Sequence, residues 1–203
     1  MVTIIDYGMG NLGSIRNMFK RINVESEITG DPDKIVKATK ILLPGVGAFD
    51  AAMERISSSG LQPMLNQKAL EEKIPVLWIC LGMQLLTKSS EEGVLPGLGW
   101  IDAETIRFKF EERSPLKVPH MGWNRVYPAN ESPLTYNLPE EPRFYFVHSY
   151  HVRARNLSDV LMTTRYGLDF HSVVQHNNIF GAQFHPEKSH FFGMKLLQNF
   201  ASI

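Results

Sequence analysis

Hydrophobic and polar positions along the first hundred residues change period in a regular way. "VTIID" (2–6) is a short β-rich run, and "NLGSIRNMFKRI" (11–22) then spaces Leu12, Ile15, Phe19 and Ile22 along one helical face. "VESEI" (24–28) is a weak second strand, whereas "KILLP" (40–44) is a strong and buried one. "FDAAMERI" (49–56) and "LQPMLNQKALEEK" (61–73) read as helices. "IPVLWIC" (74–80) is again a buried strand, and "GMQLLTKS" (82–89) begins a helix. Strands alternating with helices predict βαβ units and a mostly parallel sheet.

From about residue 100 the texture changes. "WIDAETIRFKF", "WNRVYP", "RFYFVHSYHV" and "DVLMTTRY" read as strands separated by turns rich in Pro, Asn and Glu. "FHSVVQHNNIFGAQF" reads as two strands joined at Asn177-Asn178, because asparagine tolerates positive φ. The closing "KSHFFGMKLLQNFASI" returns to helix. The expected fold is therefore α/β: a mostly parallel central sheet flanked by helices, with an additional antiparallel or mixed sheet. No repeat, low-complexity tract or linker divides the chain, so residues 1–203 are expected to form one domain.

Composition narrows the setting. Lys+Arg and Asp+Glu are both 21, giving a formal net charge of zero, so nothing points to a nucleic-acid or membrane partner. A single cysteine excludes an internal disulfide and makes no case for a structural zinc site. No metal is expected. The first residues enter a strand pattern without a signal-peptide profile, and no apolar run reaches membrane-spanning length. The expectation is a cytoplasmic protein.

Three segments carry candidate chemistry. Cys80 ends a buried strand and is followed by Gly82 and a helix, the layout of a nucleophile elbow. A helix N-terminus favours the thiolate, and the Leu81 N–H is placed to bind an oxyanion. His185-Pro186-Glu187 supplies a base and an orienting carboxylate two residues apart, on one face of an extended segment. Pro44-Gly45-Val46-Gly47 leaves a buried strand with two glycines, which let backbone approach a ligand. "GMGNLG" (8–13) matches G-x-G-x-x-G, but Glu25 and Glu27 come sooner after it than a dinucleotide site requires. No cofactor is expected, and the loop is read as a docking edge of the sheet.

Together these residues resemble the class I (triad) glutamine amidotransferases, whose core is flavodoxin-like. "ICLGMQ" is similar to the family's nucleophile motif, "PGVG" to its oxyanion loop and "FHPEKS" to its His-Glu motif. "IDYGMGNLGS", "LPGVGAFDAAM", "PHMGWN" and "YFVHSY" resemble in particular the glutaminase subunits of imidazole glycerol phosphate synthase (HisH type). The resemblance implies that Cys80 attacks the carboxamide of L-glutamine, that His185 is the base and that Glu187 orients it. It implies an oxyanion site at Leu81 and the Gly45, Val46, Gly47 segment, with Gly47, Gln84, Ser149 and Tyr150 holding the substrate's amino-acid end. It also implies a (β/α)₈-barrel synthase subunit as partner, faced by Asn11, Met121, Trp123 and Lys188. The ammonia would serve histidine biosynthesis.

One position departs from the family pattern G-x-C-x-G: Trp78 stands where a glycine is expected. Strand alternation predicts Trp78 and Cys80 on one face, so the indole is expected either to find room among small neighbours or to displace the elbow. Three other readings stay open at this point: an ammonia donor for another pathway such as amidino-sugar formation, a catalytically impaired scaffold, and a stand-alone cysteine hydrolase.

Overall fold

The computed structural model describes all 203 residues. The first strand, β1 (Val2–Ile5), is followed by helix α1 (Leu12–Arg21), β2 (Ser26–Thr29), α2 (Pro32–Val36) and β3 (Ile41–Gly45). Helix α3 (Phe49–Ser58) and α4 (Leu61–Asn66), which runs on through a π-helical turn to Glu71, precede β4 (Val76–Cys80) and α5 (Leu81–Leu85). Strands β1, β2, β3, β4 and β12 (Ile179–Ala182) pair in parallel, in the order β2-β1-β3-β4-β12.

Beyond β12 the sheet turns antiparallel through β11 (Leu168–His176), β10 (Val160–Tyr166) and β7 (Tyr127–Pro128). A branch leaves β11 through β9 (Tyr150–Ala154) to β5 (Ala103–Arg107). A separate antiparallel ribbon is made by β6 (His120–Arg125) and β8 (Arg143–His148). Helix α6 (His190–Ser202) closes the chain. The α/β expectation therefore holds, with a small second sheet. Two departures are local: α2 forms where no helix was expected, and α5 stops at Leu85.

Fully buried strands explain the apolar runs: every residue of β3 and β4 is buried. Their alternate side chains feed two cores. One holds Leu43, Phe49, Leu65, Trp78 and Trp100; the other holds Ile4, Phe19, Leu77, Ile79, Phe180 and Phe200. Register then sets the working edge. Gly45 lies opposite Cys80, and Ala182 opposite Ile79, so the exits of β3, β4 and β12 emerge side by side at the carboxyl edge of the parallel sheet.

Candidate active site

Cys80 has φ 57° and ψ −112°, a conformation that a side-chain-bearing residue adopts only under constraint. It marks a sharp strand-to-helix turn, and α5 begins at the next residue. The turn also corrects the expected placement of Trp78. Trp78 packs in the core with Leu43 and Trp100, whereas Cys80 joins the opposite core with Leu77 and Ile79. The reason is the positive φ: Cys80 has left the strand, and its Cα–Cβ bond no longer follows the pleat. The indole meets Trp100 edge to face at 5.4 Å and lies 3.5 Å from where a Cβ on Gly82 would stand. A Cβ on Gly82 would clash with Leu43 O at 2.8 Å rather than with the indole, whose Nε1–H has no hydrogen-bond partner.

His185 and Glu187 do meet, but not along an extended segment: His185 is extended, and Pro186–Lys188 form a 3₁₀ turn that carries the carboxylate back to the ring. The carboxylate can only accept, so His185 Nδ1–H donates to Glu187 Oε1 at 2.8 Å, leaving Nε2 as the nitrogen that bonds to Cys80. Both side chains are buried. Burial works to lower the His185 pKa, but hydrogen bonds to Cys80 and to Glu187 outweigh it and raise the value to about 10. The segment is anchored to β8: the His185 N–H donates to Tyr145 O at 2.9 Å, and Ser189 Oγ accepts the Tyr145 N–H at 3.0 Å.

Gly45 shows why glycine is needed beside the elbow. A Cβ there would sit 2.5 Å from Gly82 N and 3.0 Å from Leu81 Cβ. Val46 is exposed, and Gly47 has φ 97° beneath the Met9 side chain. The preceding Pro44 carbonyl accepts from Tyr7 Oη at 2.9 Å. Tyr7 is buried, and its pKa is raised by desolvation and by the nearby Cys80, against a lowering by Arg55. The glycine-rich loop after β1 thus packs behind the Gly45–Gly47 segment, with the Arg55 guanidinium donating to Gly8 O at 2.9 Å. From below, Glu92 accepts the Phe49 N–H at 3.0 Å and Asp50 accepts the Val94 and Leu95 N–H groups.

Gln84 is buried, and its amide nitrogen donates to Tyr150 O at 3.0 Å and to Gln183 Oε1 at 3.1 Å. Ser149 joins β8 to β9, and its carbonyl accepts the Phe108 N–H. Tyr150 opens β9 with Arg107 over its ring at 5.9 Å. Two residues escaped the sequence reading. Gln183 lies fully buried with Nε2 at 3.9 Å from Cys80 Sγ, and Tyr7 supports Pro44. A polar side chain in the otherwise apolar run leaving β12 was the available signal for Gln183. No group of three or more His, Cys, Asp or Glu side chains is arranged to hold a metal ion.

The family model for glutamine amidotransferase class-I matches residues 3–202. The chain belongs to this family. The amidotransferase is 55% identical over 200 residues to the imidazole glycerol phosphate synthase subunit HisH 2 of Methanococcus maripaludis, with 98% of each chain covered. Identity to the subunit HisH 2 of Pseudomonas aeruginosa is 47% over 203 residues, with 100% of each chain covered. The solved structure of PurLQS from Thermotoga maritima superposes with a TM-score of 0.72 at 18% identity, covering 99% of this chain and 97% of that one. A glutamine amidotransferase structure from the same organism gives 0.65 at 19% identity over 92% of this chain and 75% of that one. At such identities the likeness concerns the fold.

The four residues expected to face a partner lie at the surface of the amidotransferase. Along β6, Met121 and Trp123 are exposed while His120, at its start, is buried against Phe146, Tyr166 and Phe170. Trp123 stacks on His190 at 5.6 Å and meets Tyr145 edge-on, and Lys188 lies over the Tyr145 ring. Asn11 caps α1 by accepting the Ser14 N–H, and α1 packs against the Pro186–Lys188 turn. Trp123 and Lys188 therefore share one aromatic patch, with Asn11 at the start of a neighbouring helix.

Proposed function

We propose that the chain is the glutaminase subunit of an imidazole glycerol phosphate synthase, working through Cys80, His185 and Glu187. The Cys80 sulfur attacks the glutamine carboxamide as a thiolate, its proton held by His185. The tetrahedral oxyanion is received by N–H groups of Leu81 and of the Gly45–Gly47 segment. His185 passes its proton to the departing ammonia, leaving a glutamyl thioester. Water, deprotonated through Nε2 of the now neutral His185, hydrolyses the thioester to glutamate and restores the thiol pair. Glu187 keeps the imidazole in the tautomer both steps need.

The ammonia passes to a (β/α)₈-barrel synthase subunit docked on the face carrying Met121, Trp123 and Lys188, with Asn11 beside it. There it reacts with a phosphoribulosyl nucleotide to give imidazole glycerol phosphate and an aminoimidazole carboxamide ribotide. Full-length kinship with chains named for that synthase supports the pathway. No helix is long and apolar enough to cross a membrane, which suits a cytoplasmic enzyme.

The observation that carries the reading is the strained Cys80 at the end of β4, coupled to a buried His185–Glu187 pair. The deciding experiment mixes the chain with its barrel subunit and measures glutamate release. Cys80→Ala should abolish it; equal rates in the two proteins would sink the proposal.

A further inference from the structure

We propose that Gln183 is a further catalytic residue, whose side-chain amide donates an N–H to the Cys80 sulfur and steadies the thiolate. Its Nε2 lies 3.9 Å from Sγ, and the whole residue is sealed from solvent. The position follows from register: β12 runs beside β4 with Ala182 opposite Ile79, so the next residue emerges next to the elbow.

An amide is useful here only if its nitrogen, not its oxygen, faces the sulfur, and the surrounding hydrogen bonds force that orientation. The Tyr150 carbonyl can only accept, so the Gln84 nitrogen must face it at 3.0 Å. The other hydrogen on that nitrogen points to Gln183 at 3.1 Å, which must answer with its oxygen. Gln183 therefore turns its own nitrogen to Sγ.

The same Tyr150 carbonyl is held by a second chain of bonds, equally directional. His148 Nδ1 lies 2.7 Å from it and must donate, so His148 Nε2 accepts. His120 Nδ1, at 3.0 Å, donates to it, leaving His120 Nε2 to accept from Asn124 at 3.2 Å. Asn124 is oriented independently, because its Oδ1 accepts the Arg125 N–H and its nitrogen donates to Arg165 O. Every junction pairs one donor with one acceptor when both histidines are neutral. Burial, which lowers the pKa of both, keeps them so. The residues next to the sulfur in this network, Gln183, Gln84, His148 and His120, are buried, and each donor in it meets an acceptor, the condition under which such a network rigidifies its members.

Other titratable groups also act on Cys80: His185, backed by Glu187, and Tyr7 across the loop after β1. The test must separate Gln183 from these. Cys80 is the only cysteine, so iodoacetamide alkylation followed against pH reports this thiol alone. In Gln183→Met, which keeps the volume and removes the donor, the alkylation midpoint should rise by about one pH unit. Gln183→Glu, which turns a carboxylate toward the sulfur, should move it at least as far in the same direction. Midpoints unchanged in both variants would overturn the proposal.

A wild-type measurement covers the case in which the variants fail to fold. The Gln183 side-chain amide protons, followed by NMR, should shift with the Cys80 titration midpoint and lose that response after alkylation. No response would overturn the proposal as well. The inference rests on Cys80 being the nucleophile proposed above, but alkylation needs no glutamine turnover. A protein that releases no glutamate yet has a Gln183-dependent thiol would sink the reaction and leave this inference standing.

Discussion

Gly45 and Cys80 face each other across the last register position of β3 and β4, so the Gly45–Gly47 segment, proposed above as the oxyanion site, and the elbow leave the sheet as immediate neighbours. Their closeness is a packing limit. A methyl group on Gly45 would lie 2.5 Å from Gly82 N and 3.0 Å from Leu81 Cβ, closer than real Cβ atoms approach backbone. Gly45→Ala must push the two segments apart. A shift near 1 Å at reacting groups costs about a hundredfold in rate, so glutamate release should fall by about that factor or more. Wild-type rates in a folded Gly45→Ala protein would show that the segment does not form the oxyanion site.

Trp78 offers a separate test of the elbow. Its indole fills a slot against Trp100 and Gly82 while its N–H stays unpaired. Trp78→Phe keeps an aromatic ring and removes the orphan donor, so unfolding free energy should change by no more than about 1 kcal/mol. Trp78→Gly empties the slot and should cost about 3–5 kcal/mol. Urea unfolding of the two variants reads the difference. A Trp78→Gly protein as stable as wild type would mean that the indole is not part of the packed core.

Much of this site was legible in the sequence, and the reasons differ by residue. The apolar run 74–80 ending at Cys80 required a buried strand, and the His185–Glu187 pairing was legible from its spacing, although only His185 is extended and Glu187 lies in a short 3₁₀ turn. What failed was the face of Trp78, because alternation assumes strand dihedrals and Cys80 abandons them at φ 57°. Helix α2 was also passed over, although Asp31 caps it by accepting the Asp33 N–H at 2.9 Å and Pro32 occupies its first turn. Five residues give too little periodicity to see. Gln183 was invisible for another reason: its meaning depends on Gln84, ninety-nine positions away, which only tertiary contact supplies.

Glu187 should control both turnover and alkaline stability. Glu187→Gln can still accept from Nδ1 but removes the charge that stabilises the imidazolium, so turnover should drop by about 10²–10⁴-fold. His185 titrates at about 10 in the folded chain, above its usual 6.5. His185 itself therefore keeps its proton between those values, where in the unfolded chain it would give it up. The stability this supplies is complete below about pH 6.5 and is lost as pH rises toward 10. The His185 contribution to unfolding curves at pH 6, 8 and 10 should decline for wild type and decline less steeply for Glu187→Gln, the share due to Cys80 remaining. Parallel curves would remove Glu187 from this role.

Acid should destabilise the fold through a different set of histidines. Burial lowers the pKa of His120 and of His151 to about 4, lowers that of His171, and puts that of His148 well below the ordinary 6.5. For a group depressed in this way the unfolded chain takes up the proton first as pH falls. Stability is then intact above about pH 6.5 and drops toward pH 4, by up to ~1.4 kcal/mol per pH unit for each such histidine. His151 isolates the effect, since its ring packs 4.6 Å from Phe108 and belongs to no link of the chain reaching Cys80. His151→Phe should keep the fold at pH 7 and reduce the steepness of the acid decline between pH 6.5 and 4 by about one proton's worth. Urea midpoints measured across that interval decide the matter. An unchanged slope in His151→Phe would mean that His151 is not held neutral by its burial.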